Sequence, residues 1–185
     1  MERRQFIKVG ALSTIGLLGG ASVLLSTHEE GQDETEALTV SAVIAKLEAL
    51  SGKRILHTGT WNPAKIFTHC AQSIEFSMTG YPEHKSDLFK NTLGSLAFSA
   101  FSLKGSMVHA LDEVIPGAPV ISIDDKAMPE EQFEALTRLK KAFFDFNQFE
   151  GTLEPHFAYG QLTKAEYEAA HVMHVYNHFD ELSVV

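Results

Sequence analysis

From residue 39 onward, apolar side chains recur at helical spacing in five stretches. The first runs from Thr39 to Leu50, with Val40, Val43, Ile44, Leu47 and Leu50 on one stripe and Gly52 behind it as a terminator. The second opens at Asn62, a good N-cap, with Pro63 in the first helical position, and stops at Gly80 ahead of Tyr81 and Pro82. The third spans Ser86 to Gly105, and its pattern predicts Leu93, Leu96, Ala97, Ala100 and Phe101 on the core side. The fourth begins at Pro129 and ends near Gly151, with Phe133, Leu136, Phe143 and Phe144 among its expected buried set. The fifth opens with the capping box Thr163-Lys-Ala-Glu166. Strand signals are weak. VISI at 120–123 alternates briefly but stands alone, and Pro116, Gly117 and Pro119 mark residues 106–128 as a long crossing loop. Helices joined in this way predict an all-α helical bundle with a crossover.

The N-terminus follows another pattern. MERRQFIK precedes the uncharged apolar run VGALSTIGLLGGASVLLS, the layout of an export signal. Arg3 and Arg4, with Phe6 and Lys8 behind them, resemble the twin-arginine signal. No A-x-A cleavage site stands out, so an uncleaved anchor stays open. The acidic segment HEEGQDETE lacks core residues and reads as a solvated linker. The expected organisation is a signal segment at 1–27, a linker at 28–38 and a helical domain at 39–185.

Charge narrows the partners. The chain has 185 residues and a formal charge of −9. Setting aside the first eight residues leaves 12 basic against 23 acidic side chains, a balance of −11. No basic patch survives to hold phosphates, so nucleic acid is excluded as a partner. Cys70 is the only cysteine, which rules out an intramolecular disulfide and a cysteine-based zinc site.

The candidate chemistry is imidazole. HVMHVYNHF places His171, His174 and His178 within an arc of about 60° on one helix face. His174 and His178 have the i, i+4 spacing that lets two rings chelate one ion. A third ligand must come from another helix. His69, two turns into the second helix beyond Trp61, is the best placed, and His156 is the alternative. Neutral imidazoles bind zinc, nickel, copper or iron(II) without choosing among them.

The spacing Trp61-x7-His69, the late pair His174 and His178, and the stretches HCAQSIEFSMTGYPEHKS, IPGAP and PHFAYGQLTKAEYEAAHVMHVYNHF resemble the DinB/YfiT-like metal-binding superfamily. Within it they are most similar to an uncharacterised branch, the domain of unknown function family DUF1569. The resemblance covers most of the chain after the linker. It implies a four-helix bundle holding one divalent metal, zinc, nickel or iron, through His69, His174 and His178. Relatives often carry a histidine beside the last ligand, where this chain has Asn177. Some superfamily members are thiol-dependent transferases or isomerases, so the resemblance implies a metal-dependent hydrolase or transferase. The alternative is a metal-binding or sensing module without catalysis.

Other residues take lesser roles. His156 is the best guess for a catalytic base, or a group that hydrogen-bonds substrate. His171 either supports the site or lies near the surface. Gln72 shares the ligand face, Cys70 reads as core, and His28, His57, His84 and His109 show no constellation. Expected partners are the twin-arginine translocation machinery and an unknown small-molecule substrate, and the chain is compatible with a homodimer. The expected location is periplasmic or otherwise extracytoplasmic, membrane-anchored if the leader is uncleaved.

Overall fold

Each helix starts and stops where the sequence supplies the chemistry for it. A computed structural model describes residues 37–185 except residue 125. The leader and most of the linker lie outside the described residues. Helix α1 (Val40–Leu50) is capped by Thr39, whose side chain accepts from the Ala42 N–H. Helix α2 (Pro63–Thr79) is capped by Asn62 Oδ1, which accepts from the Lys65 N–H at 3.0 Å, and ends at Gly80 with φ 102°. Helix α5 (Pro129–Gln148) follows Met128, whose N–H is taken by Glu131. Helix α6 (Lys164–Phe179) has the expected reciprocal box, Thr163 N–H to Glu166 and Glu166 N–H to Thr163 Oγ1.

The third helical stretch departs from expectation. It is α3 (Asp87–Phe89), a π-helical turn (Lys90–Gly94) and α4 (Ser95–Lys104), closed by Gly105 in the left-handed region. A π turn takes an extra residue, so everything beyond it rotates relative to an ideal 3.6-residue period. Gly94 and Phe98 are therefore the buried positions, while Leu93, Leu96 and Ala100 face outward; Ala97 and Phe101 are half-buried. Gly94 is required by contact: a Cβ there would collide with the Ala158 carbonyl oxygen. Gly94→Ala is expected to cost about 1–3 kcal/mol by forcing that backbone apart. Urea unfolding measures this, and an unchanged midpoint would show that the close approach is dispensable.

In α5 the correction is one of face. Leu136, Leu139, Phe143 and Phe146 form its buried side. Phe133 and Phe144, expected inside, lie about 100° and 120° round the helix from the centre of that face, and both are exposed.

Residues 106–128 contain no helix or strand among the described residues, as their prolines and glycine imply; VISI forms no strand. Two short strands escaped the sequence reading. β1 (Ile55–His57) pairs antiparallel with β2 (Leu182–Val184), Ile55 opposite Val184 and His57 opposite Leu182. At three residues each they are too short for alternation to be seen. They tie the end of α6 beside the start of α2, reinforced by Thr58 N–H to Glu181 O and Val185 N–H to Arg54 O.

The described residues are thus mostly helical with one small sheet. α2 packs against both α5 and α6, and α1 against α5 and α6. Phe67, Ile74, Leu139, Phe143, Phe146 and Val172 fill the space between them. Arg138 of α5 forks onto Glu75 of α2, Nε to Oε1 at 2.9 Å and Nη2 to Oε2 at 2.6 Å. Among the described residues no helix is long and apolar enough to cross a membrane.

Candidate metal centre

Three elements carry four histidines to one point. α2 delivers His69, α6 delivers His174 and His178, and the loop after α4 delivers His109. One ring nitrogen from each lies within 4.8 Å of the others. His69 Nε2 and His174 Nε2 are 3.2 Å apart. Two nitrogens about 2.0–2.1 Å from one tetrahedral ion stand roughly 3.3–3.4 Å apart, so this edge is nearly that of a coordination sphere. Ring centroids span 4.8 Å for His109–His174 to 5.3 Å for His69–His178.

The hydrogen bonding shows what the rings lack. His69 Nδ1, His109 Nε2 and both nitrogens of His178 are buried without a partner among the described residues. Each unsatisfied polar atom costs about 1–3 kcal/mol unless something binds it. His109 is the most informative. Its Nδ1 meets Asn177 Oδ1 at 2.7 Å, and its backbone N–H reaches the same oxygen at 3.2 Å. Two donors on one oxygen fix the amide's orientation, so Nδ1 must carry the proton and Nε2 must present a lone pair. A ring anchored through one nitrogen with the other left free is how histidine ligands are held.

Electrostatics keep the rings neutral. Burial, and secondarily the neighbouring His109, pushes His69 down to about 4. Burial, then His69 and His109, takes His178 down to about 3. His174 is held well below the ordinary histidine value by burial first and then by the other rings. His109 is lowered by burial, against the pull of Asn177 and Glu113. Neutral imidazole is the form that binds metal, and the donor set fits a divalent ion of the zinc, nickel, copper or iron(II) type.

The matching family model is that of a protein of unknown function (DUF1569), and it covers residues 33–184. The chain belongs to the DUF1569 family. No curated protein matches it. No solved structure matches it either.

Around the DUF1569 histidines, the supporting residues divide by what they touch. Trp61 stands edge-on to His69 at 5.0 Å and parallel to His178 at 6.4 Å, screening one side. Gln72, expected to face the ligands, instead donates to the Pro119 carbonyl at 3.2 Å and so fixes the loop that carries His109. His171 is not with the cluster. Ser77 Oγ gives its proton to the Ile74 carbonyl, so it accepts from His171 Nε2 at 3.1 Å. The His171 ring stacks on Tyr167 and burial pushes it down to about 3. Cys70 is buried, and burial pushes its thiol far up, out of nucleophilic range.

His156 is also apart from the four. Its Nδ1 accepts from the N–H groups of Ala158 and Tyr159, both at 3.1 Å, inside a turn closed by His156 N–H to Gly160 O. With Nδ1 so occupied, the proton resides on Nε2. His156 and the metal-centre residues His69, His109 and His174 line one cavity of about 310 Å³. Glu113 is the one carboxylate among its lining residues.

His109 and Glu113 are the residues of this candidate site that the sequence alone did not reveal, and Asn177, noted there only as a departure from relatives, is the anchor of His109. His109 and Glu113 sit in a loop with no periodicity, and nothing local links residue 109 to residue 177.

Proposed function

We propose that this chain is an exported DinB-like four-helix-bundle metalloprotein in which His69, His174 and His178 hold one divalent ion, with His109 as a fourth donor. The observation that carries the reading is the convergence of one ring nitrogen from each of the four histidines within 4.8 Å of one another, with His109 Nε2 and the His178 nitrogens buried and unpartnered among the described residues. A bound ion of this class supplies Lewis acidity to an oxygen or sulfur brought against it. The protein's own residues supply the rest. Met107, Val114 and Ile115 give the adjoining cavity apolar walls, and Glu113 places a carboxylate beside His109. His156 presents an N–H rather than a lone pair, which suits it to bind substrate and not to remove a proton. A metal-dependent hydrolase or transferase acting on a small molecule accounts for a metal centre opening into a cavity.

One observation favours a second reading. Four histidines complete a tetrahedral sphere, as in closed sites that bind metal without catalysis. X-ray absorption separates the two: four nitrogen scatterers alone support the binding module, and fewer nitrogens with a lighter exchangeable donor support catalysis.

The leader supports export by the twin-arginine route, which carries folded proteins. The test is to express the full chain in cells with and without that translocase, then count metal in the exported fraction. The expected result is one ion per chain, with export lost in the translocase-deficient cells. Metal-free exported protein would defeat the metal reading, and translocase-independent export would defeat the route.

A further inference from the structure

The cavity beside the histidines has two unlike ends. One is the metal centre. The other is built from Lys85 and residues 156–159, joined where the Lys85 N–H bonds the Phe157 carbonyl at 2.9 Å. Two polar groups at this end keep a donor with no partner among the described residues. His156 is 7% exposed, and no hydrogen bond leaves its Nε2 among the described residues, although Nδ1 is doubly bonded. The Lys85 side chain lines the same cavity and makes no hydrogen bond or ion pair among the described residues. That is notable in a chain of net charge −9, where carboxylates outnumber cations. A neutral N–H donor and an ammonium lining one cavity together form the complement of a carboxylate. The intervening wall is apolar, with Met107 and Ile115 buried. At about 310 Å³ the space is at the small end of ligand cavities, which run ~300–1,000 Å³.

We propose that this cavity binds a small carboxylate with an apolar body, the carboxylate received by His156 Nε2–H and Lys85 Nζ and the opposite end directed at the four histidines. The proposal deepens the metal reading by naming the substrate class of the same site, but the carboxylate end is made entirely of protein groups. It therefore works with or without the ion.

The test uses calorimetry on the full chain, metal-loaded and metal-stripped, with 3-phenylpropionate and its neutral isostere 3-phenylpropanamide as probes. The acid is expected to bind roughly tenfold or more tightly than the amide, in both metal states. Lys85→Met, on an exposed side chain without bonds to lose, should erase the preference, and Lys85→Arg should keep it. His156→Asn retains an acceptor at the Nδ1 position for the turn but removes the distal N–H, and should weaken the acid selectively. Equal binding of acid and amide, or binding of neither, overturns the proposal. A preference that survives Lys85→Met but disappears with the metal also overturns it, placing the carboxylate at the ion and leaving the metal reading intact. A preference kept in protein that never binds metal would instead sink the metal reading and leave the carboxylate site standing.

Discussion

His178→Leu is expected to stabilise the metal-free protein while abolishing metal binding. Both nitrogens of His178 are buried without partners in a side chain that is 0% exposed. Such a ring carries an uncompensated desolvation penalty of about 1–3 kcal/mol. Leucine is close in volume, has no polar atoms and would pack against the Trp61 ring, so most of that penalty is recovered. Thermal unfolding of the stripped protein should shift upward by a few degrees. Metal content should fall from one ion per chain to near zero, and the stabilisation that added metal gives the parent should be absent. A stripped His178→Leu protein that is less stable than the parent would mean the ring is satisfied by something other than an ion. His109→Ala should act more gently, because three rings remain. Asn177→Leu, which frees the His109 ring without deleting it, should weaken metal binding by about 10–100-fold, the usual effect of losing a ligand's anchor.

The contrast between His178 and His109 shows how far the sequence reaches. His69, His174 and His178 sit on regular helices, where a fixed turn per residue converts spacing into direction. The caps at Asn62 and Thr163 were legible for a similar reason, since an N-cap acts on a backbone N–H within three residues. The inward faces failed where that regularity broke. A π turn at Lys90–Gly94 re-phases the following helix, and Phe133 and Phe144, although large and apolar, lie off the packed side of α5. His109 was beyond reach because its place depends on long-range bonds. Gln72 to Pro119 and Asn177 to His109 close a loop whose own sequence has no period. Such contacts leave no local trace.

Acid should unfold the metal-free protein within a window set by these same rings. In the unfolded chain a histidine titrates at its ordinary value, 6.5, whereas in the fold burial holds His69 at about 4 and His171 and His178 at about 3. Below 6.5 the unfolded state takes up protons that the folded state refuses, so stability falls as pH falls. The loss ends only where the folded rings themselves protonate. Each ring contributes up to about 1.4 kcal/mol per pH unit within its window. Against a total stability of ~5–15 kcal/mol, two or three such rings suffice to bring unfolding well above the folded-state value of about 3. A bound ion competes with protons for the lone pairs of the clustered rings, so metal should move the onset to lower pH, and its release should accompany unfolding. His171 separates the two effects. It faces Ser77 and not the cluster, so His171→Gln, which retains a donor toward Ser77, should flatten the acid slope by about one proton and leave metal content unchanged. A stability that stays level between pH 6.5 and 4 would require these rings to be charged or solvated in the fold, contrary to a neutral cluster built to coordinate an ion.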